Sequence, residues 1–161
     1  MTTDLRADLD PALAPDVPAP AAGRLQLALN VDNLDDAIVF YTKMFGTGPV
    51  KVKPGYANFA VETPPLKLVL FSGVGEPGTI NHLGVEVASA DAVAAAEHRL
   101  ADVGLTTTEV AETTCCFAAK TETWLEAPDG QRWEWYVKHD DIESFGEHSA
   151  VPSPSGSACC G

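Results

Sequence analysis

The stretch Asn81-His82-Leu83-Gly84-Val85-Glu86-Val87 (NHLGVEV) decides the fold, because it repeats an earlier stretch of the same chain. Leu25-Gln26-Leu27-Ala28-Leu29-Asn30-Val31 (LQLALNV) has the same alternation of apolar and polar side chains, and His82 follows Gln26 by 56 positions. Such alternation predicts a half-buried strand. At the same offset, within a residue or two, the helical apolar stripe of residues 92–100 falls on that of residues 37–45. The repeat therefore indicates two similar structural modules.

The repeat continues through the strands that follow each helix. Residues 132–137 alternate like residues 65–70, and each segment comes after a turn that contains proline. We therefore predict two modules, at about 24–73 and about 80–138, each with the order βαβββ. Neither module buries its sheet alone. The predicted fold class is α+β, with the two modules forming one curved eight-stranded sheet that has helices outside and a cup inside.

Both ends of the chain have the composition of tails. Residues 1–23 are rich in Ala, Pro and Asp, which predicts a disordered N-terminal tail. Residues 148–161 are small, polar and interrupted by proline, which predicts a flexible C-terminal tail that carries a pair of cysteines. We expect residues 24–147 to form a single domain.

Charge and hydropathy exclude several classes of partner. The net charge is −13, so nucleic acid and anionic membrane surfaces would repel the protein. No apolar run is long enough to span a bilayer. The N-terminus lacks the basic start and apolar centre of a secretory signal, which predicts a cytoplasmic protein with reduced thiols. Paired modules within one chain are compatible with a monomer or a homodimer.

Three polar residues on the predicted strands form a candidate metal site. Gln26 and His82 occupy matching places in the two modules, and Glu134 lies in the last strand. A pseudo-twofold relation between the modules would bring the three side chains together. An imidazole, a carboxylate and an amide oxygen suit a divalent cation such as Fe(II), Mn(II) or Ni(II), with positions left open for substrate and oxygen.

Each of these residues also has a structural explanation when it is taken singly. Gln26 could cap a strand edge, His82 could be a hydrogen-bonded core histidine, and Glu134 could face solvent. The symmetry of the repeat favours the metal site, because a buried carboxylate needs a partner.

The four cysteines occur as two adjacent pairs, Cys115-Cys116 and Cys159-Cys160. A disulfide between neighbours closes almost no loop and strains its own geometry, so it would stabilise the fold little. The pairs are better explained by metal binding or reactivity, although Cys115 and Cys116 could also be small buried apolar residues.

Over about residues 24–138 the chain resembles the vicinal oxygen chelate superfamily, which includes glyoxalase I, extradiol dioxygenases and the bleomycin and fosfomycin resistance proteins. The resemblance is more specific to one branch, the Fe(II)-dependent carbon–arsenic lyases, to which a cadmium-induced actinobacterial protein is closely related. Six segments carry it: LALNV…AIVFYTKMFG, KPGYANFA, PPLKLVL, NHLGVEV, TTCCF and PDGQRWEWY.

The resemblance implies Fe(II) held by Gln26, His82 and Glu134, with O2 as co-substrate. It also implies that Cys115 and Cys116 are the thiolates that bind the arsenic of a trivalent organoarsenical such as methylarsonous acid. The expected activity is cleavage to arsenite and an oxidised organic fragment. The segment from Cys115 to Phe117 is expected to be a mobile loop that closes over the site.

Two other functions stay open. The chain could be a non-catalytic cytosolic thiol protein that sequesters As(III) or Cd(II), or a glyoxalase-like isomerase, which would leave both cysteine pairs unexplained. For Cys159 and Cys160 the sequence leaves two alternatives, an accessory arm that collects trivalent arsenic and incidental binding of soft metals.

Overall fold

The computed structural model of the protein describes residues 23–143. The first repeat contains β1 (Arg24–Val31), α1 (Leu34–Phe45), β2 (Lys51–Lys53), β3 (Tyr56–Val61) and β4 (Leu66–Ser72). The second contains β5 (Ile80–Glu86), α2 (Ala90–Asp102), β6 (Ala111–Cys115), β7 (Ala118–Glu126) and β8 (Arg132–Asp141). The predicted α+β class and the doubled βαβββ order are confirmed.

The described residues form two compact units, Leu27–Ile80 and a second made of residues 23–26 with residues 81–143. The strand order is β2-β3-β4-β1 in the first unit and β1-β5-β8-β7-β6 in the second, so β1 contributes to both. The β5–β8 pair is parallel, whereas β2–β3, β3–β4, β6–β7 and β7–β8 are antiparallel. The eight strands therefore make a mixed sheet.

In the first unit, α1 begins and ends with well-defined caps. The Asn33 side chain accepts a hydrogen bond from the Asp36 backbone N–H, and Gly46 ends the helix at φ 68° with its N–H donating to the Thr42 carbonyl. The helix packs on β3 and β4. The core there consists of Ile38, Ala57, Phe59, Val61, Leu68 and Leu70.

In the second unit, α2 covers one face of β7 and β8. Ser89 caps its N-terminus by accepting a hydrogen bond from the Ala92 N–H. Val93, Ala96 and Leu100 recur at helical spacing and are buried. The face of β7 and β8 that is turned away from α2 is therefore available for packing by other side chains. No helix within residues 23–143 has the length and apolar character needed to cross a membrane.

The burial of β1 differs from that of an ordinary half-buried strand. Leu25 is 46% exposed, whereas Gln26 and Asn30 are 5% and 6% exposed on the other face. The polar face is the more deeply buried one, and buried polar side chains need hydrogen-bond partners. Asn30, for example, donates to Thr79 Oγ1 at 2.9 Å. This strand therefore carries polar groups into the interior.

The predicted tails, 1–23 and 148–161, lie outside the described residues apart from Gly23, and so does the pair Cys159-Cys160.

Candidate metal centre and cysteine pair

The structure brings Gln26, His82 and Glu134 together within the second unit. Gln26 Nε2 lies 3.0 Å from His82 Nε2 and donates to Glu134 Oε2, also at 3.0 Å. His82 Nε2 and Glu134 Oε2 are 3.6 Å apart. All three side chains are buried, and Glu134 is 0% exposed, so the alternative in which it faces solvent is wrong.

A glycine makes room for this convergence. Gly84 on β5 pairs with Glu134 on β8. A Cβ atom at Gly84 would lie 3.4 Å from both Cβ and Nε2 of Gln26, and 3.1 Å from the Glu134 carbonyl oxygen. A larger residue would therefore press on the Glu134 backbone and lie in contact with the Gln26 side chain.

His82 is held as a neutral imidazole with Nε2 directed at Glu134 and Gln26. Its Nδ1 lies 2.8 Å from Asn81 Oδ1, and because an amide oxygen only accepts hydrogen bonds, Nδ1 carries the proton. Burial lowers the pKa of His82 and outweighs the opposite effect of Glu134. The lone pair of Nε2 is thus available for a metal ion.

The two oxygen atoms of Glu134 have different partners. The Lys120 ammonium contacts Oε1, while Oε2 faces Gln26 and His82. Burial acts to raise the pKa of Glu134, but the charge of Lys120 is the largest opposing cause, and the pKa is held well below its usual range. Glu134 is therefore an ionised carboxylate with one oxygen fixed by Lys120.

Glu122 is a second buried carboxylate beside this group. Its Oε2 lies 2.8 Å from Lys120 Nζ. Burial raises the pKa of Glu122, and Lys120 opposes that shift. Since Glu122 and Glu134 share one ammonium, a cation bound beside Glu134 would lower the electrostatic cost of both carboxylates.

These donors fit a divalent metal ion. Cis ligands at a bond length of about 2.1 Å lie about 3 Å apart, and the ends of the three side chains are 3.0–3.6 Å apart, with Gln26 presenting its amide nitrogen to the other two. The set of one imidazole, one carboxylate and one amide suits a borderline cation, and it leaves coordination positions open. Within residues 23–143, no group of three His, Cys, Asp or Glu side chains could hold a metal ion. The third ligand of the candidate site would therefore be the amide of Gln26.

Cys115 and Cys116 lie where β6 turns into β7. Cys115 is the last residue of β6 and pairs with Ala118, so Cys116 and Phe117 form a two-residue hairpin turn. Both have positive φ, 55° and 62°, which is unusual without glycine. Such strain occurs where the surrounding structure enforces it, often at functional positions.

The sulfur atoms of the two cysteines are 3.0 Å apart. Cys115 is buried and Cys116 is disulfide-bonded, so the expectation that all the thiols are reduced does not hold in this structure. The mobility predicted for the segment from Cys115 to Phe117 stays a prediction.

Strand register places Cys115 on the same side of the sheet as the candidate metal site. Thr113 pairs with Lys120, and Cys115 pairs with Ala118. Side chains two residues apart share a face, so Cys115 shares the face of Lys120, about 7 Å further along the strands. Lys120 in turn contacts Glu134.

Sequence reasoning missed Lys120, Glu122 and Tyr136. Lys120, Glu122 and Trp124 occupy alternate positions of β7 and are buried. The two charged residues on the same face as a tryptophan are the signal that could have identified Lys120 and Glu122. Tyr136 is 1% exposed, and its hydroxyl donates to Gln26 Oε1 at 2.5 Å.

Comparison with known proteins identifies the family. The model of the Glyoxalase/Bleomycin resistance protein/Dioxygenase superfamily matches residues 23–135. The chain is 50% identical over 140 residues to cadmium-induced protein CadI of Mycobacterium tuberculosis, covering 85% of this chain and 92% of that protein. It is 48% identical over 138 residues to the trivalent organoarsenical cleaving enzyme of Thermomonospora curvata, covering 85% and 87%.

Solved structures show the same fold at low sequence identity. Homoprotocatechuate 2,3-dioxygenase from Arthrobacter globiformis matches with a TM-score of 0.54 and 22% identity, over 82% of this chain and 41% of that chain. Methylmalonyl-CoA epimerase from Mycobacterium tuberculosis matches with a TM-score of 0.54 and 19% identity, over 80% and 96%.

Proposed function

Because the chain belongs to the glyoxalase, bleomycin resistance protein and dioxygenase superfamily, we propose that it is an Fe(II)- and O2-dependent enzyme that cleaves the carbon–arsenic bond of trivalent organoarsenicals. The substrate would be a compound such as methylarsonous acid. One observation carries the proposal: a Gln–His–Glu triad and a pair of adjacent cysteines lie on elements of one unit, with Cys115 and Lys120 on a common sheet face. Relatives named as organoarsenical cleaving enzymes support the same substrate class.

The cysteine pair would bind the arsenic. Trivalent arsenic is soft and prefers thiolate ligands, and two sulfur atoms 3.0 Å apart can bind one arsenic atom together. As each sulfur–arsenic bond forms, the thiol proton leaves with a hydroxyl group of methylarsonous acid as water. The organic group stays on arsenic as its third substituent.

Gln26, His82 and Glu134 would hold the iron, with His82 supplying Nε2 and Glu134 supplying Oε2. When bound, Fe(II) would activate O2 for transfer to the carbon–arsenic bond. The chain itself would hold the two reactants in place and exclude water, which the burial of all three side chains supports. For methylarsonous acid, one O2 balances the conversion to arsenous acid and formaldehyde, so arsenic stays trivalent and carbon is oxidised.

The disulfide of Cys116 would have to be reduced before arsenic is captured by both sulfur atoms. A cytoplasmic location would supply that reduction through the cellular thiol pool. Reduction of the cysteine pair is therefore part of the proposed activity.

A second candidate is a protein that sequesters As(III) or Cd(II) without turnover. The relative named cadmium-induced protein CadI favours this alternative, since its name concerns induction by a soft metal. Sequestration would need the cysteine pair but not Glu134.

The test is arsenic speciation. Reduced protein, Fe(II) and methylarsonous acid are mixed anaerobically and then exposed to O2, with Glu134→Gln as the test variant and Glu112→Gln, at an exposed position of β6, as the matched control. The proposal expects arsenite and formaldehyde from wild type and Glu112→Gln, and intact methylarsonous acid bound to Glu134→Gln. Intact methylarsonous acid retained equally by all three proteins would identify a thiol trap.

A further inference from the structure

The amide of Gln26 has its nitrogen end where a metal ligand would need its oxygen end. Nε2 faces both His82 Nε2 and Glu134 Oε2, while Oε1 accepts the hydrogen bond of the Tyr136 hydroxyl. An amide nitrogen has no lone pair to give to a cation, whereas the amide oxygen has two. Ligation by Gln26 in this position therefore requires the two ends of the amide to change places.

We propose that cation binding turns the Gln26 amide by half a turn, and that Tyr136 is the positioning residue that holds it in the metal-binding orientation. The inference rests on the metal site of the proposed function. It assigns to Tyr136 a role in metal affinity, and it assigns no contact between Tyr136 and the reacting atoms.

A half-turn about the bond between Cγ and Cδ of Gln26 is the movement that the surroundings allow. Gly84 lies against the Gln26 side chain, as the 3.4 Å distances to a Cβ placed there indicate, and Gln26 is 5% exposed. A half-turn exchanges an oxygen for an NH2 group of similar size, so it needs little extra volume. Translation of the side chain would disturb the packing against β5.

A hydroxyl is the partner that can serve both orientations. In the observed orientation the Tyr136 O–H donates to Oε1. After the half-turn the same oxygen atom would accept a hydrogen bond from Nε2, because a phenolic hydroxyl both donates and accepts. A backbone carbonyl could only accept, and an ammonium could only donate, so either would oppose one of the two states.

The Tyr136 ring is itself fixed. It is 1% exposed, it pairs with Glu122 across β7 and β8, and Lys120 Nζ lies 5.4 Å from its ring centroid. The hydroxyl is therefore presented to Gln26 from a rigid position, which is the property that a residue orienting a metal ligand needs.

The first experiment measures metal binding alone. Co(II), a stand-in for Fe(II) that can be followed by its absorbance, is titrated into wild type, Tyr136→Phe and Tyr56→Phe. Tyr56 is a matched control because it is also a buried tyrosine whose hydroxyl has an amide partner, Asn58, in the other unit. We expect Tyr136→Phe to weaken Co(II) binding about 10- to 100-fold, the usual effect of removing a partner of a metal ligand, and Tyr56→Phe to bind like wild type.

A double-mutant cycle separates this role from a general effect on folding. In a Gln26→Ala background, Tyr136→Phe should cause no further loss of Co(II) affinity, since the group that it positions is gone. An undiminished effect of Tyr136→Phe in that background would overturn the assignment, and so would wild-type affinity of the single variant.

The half-turn has its own readout in nuclear magnetic resonance. With 15N-labelled glutamine, saturation with diamagnetic Zn(II) should shift the Gln26 side-chain NH2 resonance and produce contacts between these protons and the Tyr136 ring. An unchanged resonance at full saturation would overturn the turn of the amide. If wild type binds Co(II) with the expected dependence on Tyr136 but releases no arsenite, the proposed lyase function fails and this inference stands.

Discussion

At the scale of single residues, Gly84 shows how the backbone prepares the site. Gly84→Ala places a methyl group 3.1 Å from the Glu134 carbonyl oxygen, so the backbone of this ligand has to shift, and the methyl group also contacts Gln26 Nε2 at 3.4 Å. We expect Co(II) affinity to fall about 10-fold, as for other changes around metal ligands. Titration with Co(II) and circular dichroism would measure affinity and folding separately.

The control is Gly46→Ala at the end of α1. Gly46 has φ 68° and nothing within 4 Å of an added Cβ, so the substitution strains the backbone without touching the site. It should lower the free energy of unfolding by about 1 kcal/mol and leave Co(II) affinity unchanged. Equal affinity in Gly84→Ala and wild type would contradict the role given to Gly84.

His82 makes stability depend on pH. Burial lowers its pKa from the usual 6.5, so below about pH 6.5 the unfolded chain takes up a proton that the folded protein does not. The free energy of unfolding should therefore fall as the pH falls from about 6.5 towards the lowered pKa, by up to about 1.4 kcal/mol per pH unit. Glu134, with its pKa well below 4.5, would contribute only in more acidic solution.

Urea unfolding in the presence of a chelator, at about pH 7.5 and about pH 5.5, would measure this difference. His82→Gln lacks the titrating imidazole and should show a smaller loss of stability between the two pH values. The same loss in both proteins would show that another group is responsible.

At the scale of elements, β7 carries the charges that support the site. Lys120 lies between the carboxylates of Glu122 and Glu134, and all three are buried. Lys120→Met would leave two carboxylates without their shared ammonium and should lower the free energy of unfolding by about 3–5 kcal/mol. The double variant Lys120→Met/Glu122→Gln removes one carboxylate as well and should recover part of that loss.

The comparison for Lys120 is Lys138→Met on the neighbouring strand. Lys138 makes an ion pair with Asp141 at 3.2 Å, and the Asp141 side chain is 52% exposed. A solvent-screened pair of this kind contributes about 0–1 kcal/mol, so the variant should unfold nearly like wild type. Urea unfolding would measure the free energy of unfolding of each variant. If Lys120→Met loses no more stability than Lys138→Met, the charges of β7 do not support the site.

At the scale of the whole molecule, the repeat was sufficient to predict the doubled βαβββ order. Alternation and helical stripes report local periodicity, which the two halves of the chain share. The hairpin between β6 and β7 was not predicted as such, because its turn consists of Cys116 and Phe117 and lacks the glycine that marks such turns.

The candidate site was predicted only in part, because local sequence patterns do not report contacts between strands that are distant in sequence. Gln26 and His82 followed from symmetry between the modules, and Glu134 from a carboxylate on a half-buried strand. Lys120, Glu122 and Tyr136 have no counterpart in that symmetry argument, since their roles depend on contacts between strands that are distant in sequence. The Tyr136 hydroxyl reaches Gln26 across 110 positions of the chain.

A metal site built from β1, β5 and β8 should couple metal binding to the stability of the fold. Because the three ligands come from strands that separate on unfolding, a cation binds the folded protein in preference to the unfolded chain. At a free Co(II) concentration of 100 times Kd, the stabilisation is about 2.7 kcal/mol, which corresponds to a rise in Tm of roughly 5–10 °C.

Differential scanning calorimetry with Co(II) and then with a chelator would measure this coupling. His98→Ala, which removes the exposed imidazole of α2, should keep the full rise in Tm, and His82→Ala should lose it. An equal rise in both variants would mean that Co(II) stabilises the protein from a site other than the triad. Retention of the rise in His98→Ala alone would tie the stability of the fold to the same three side chains that are proposed to hold the iron.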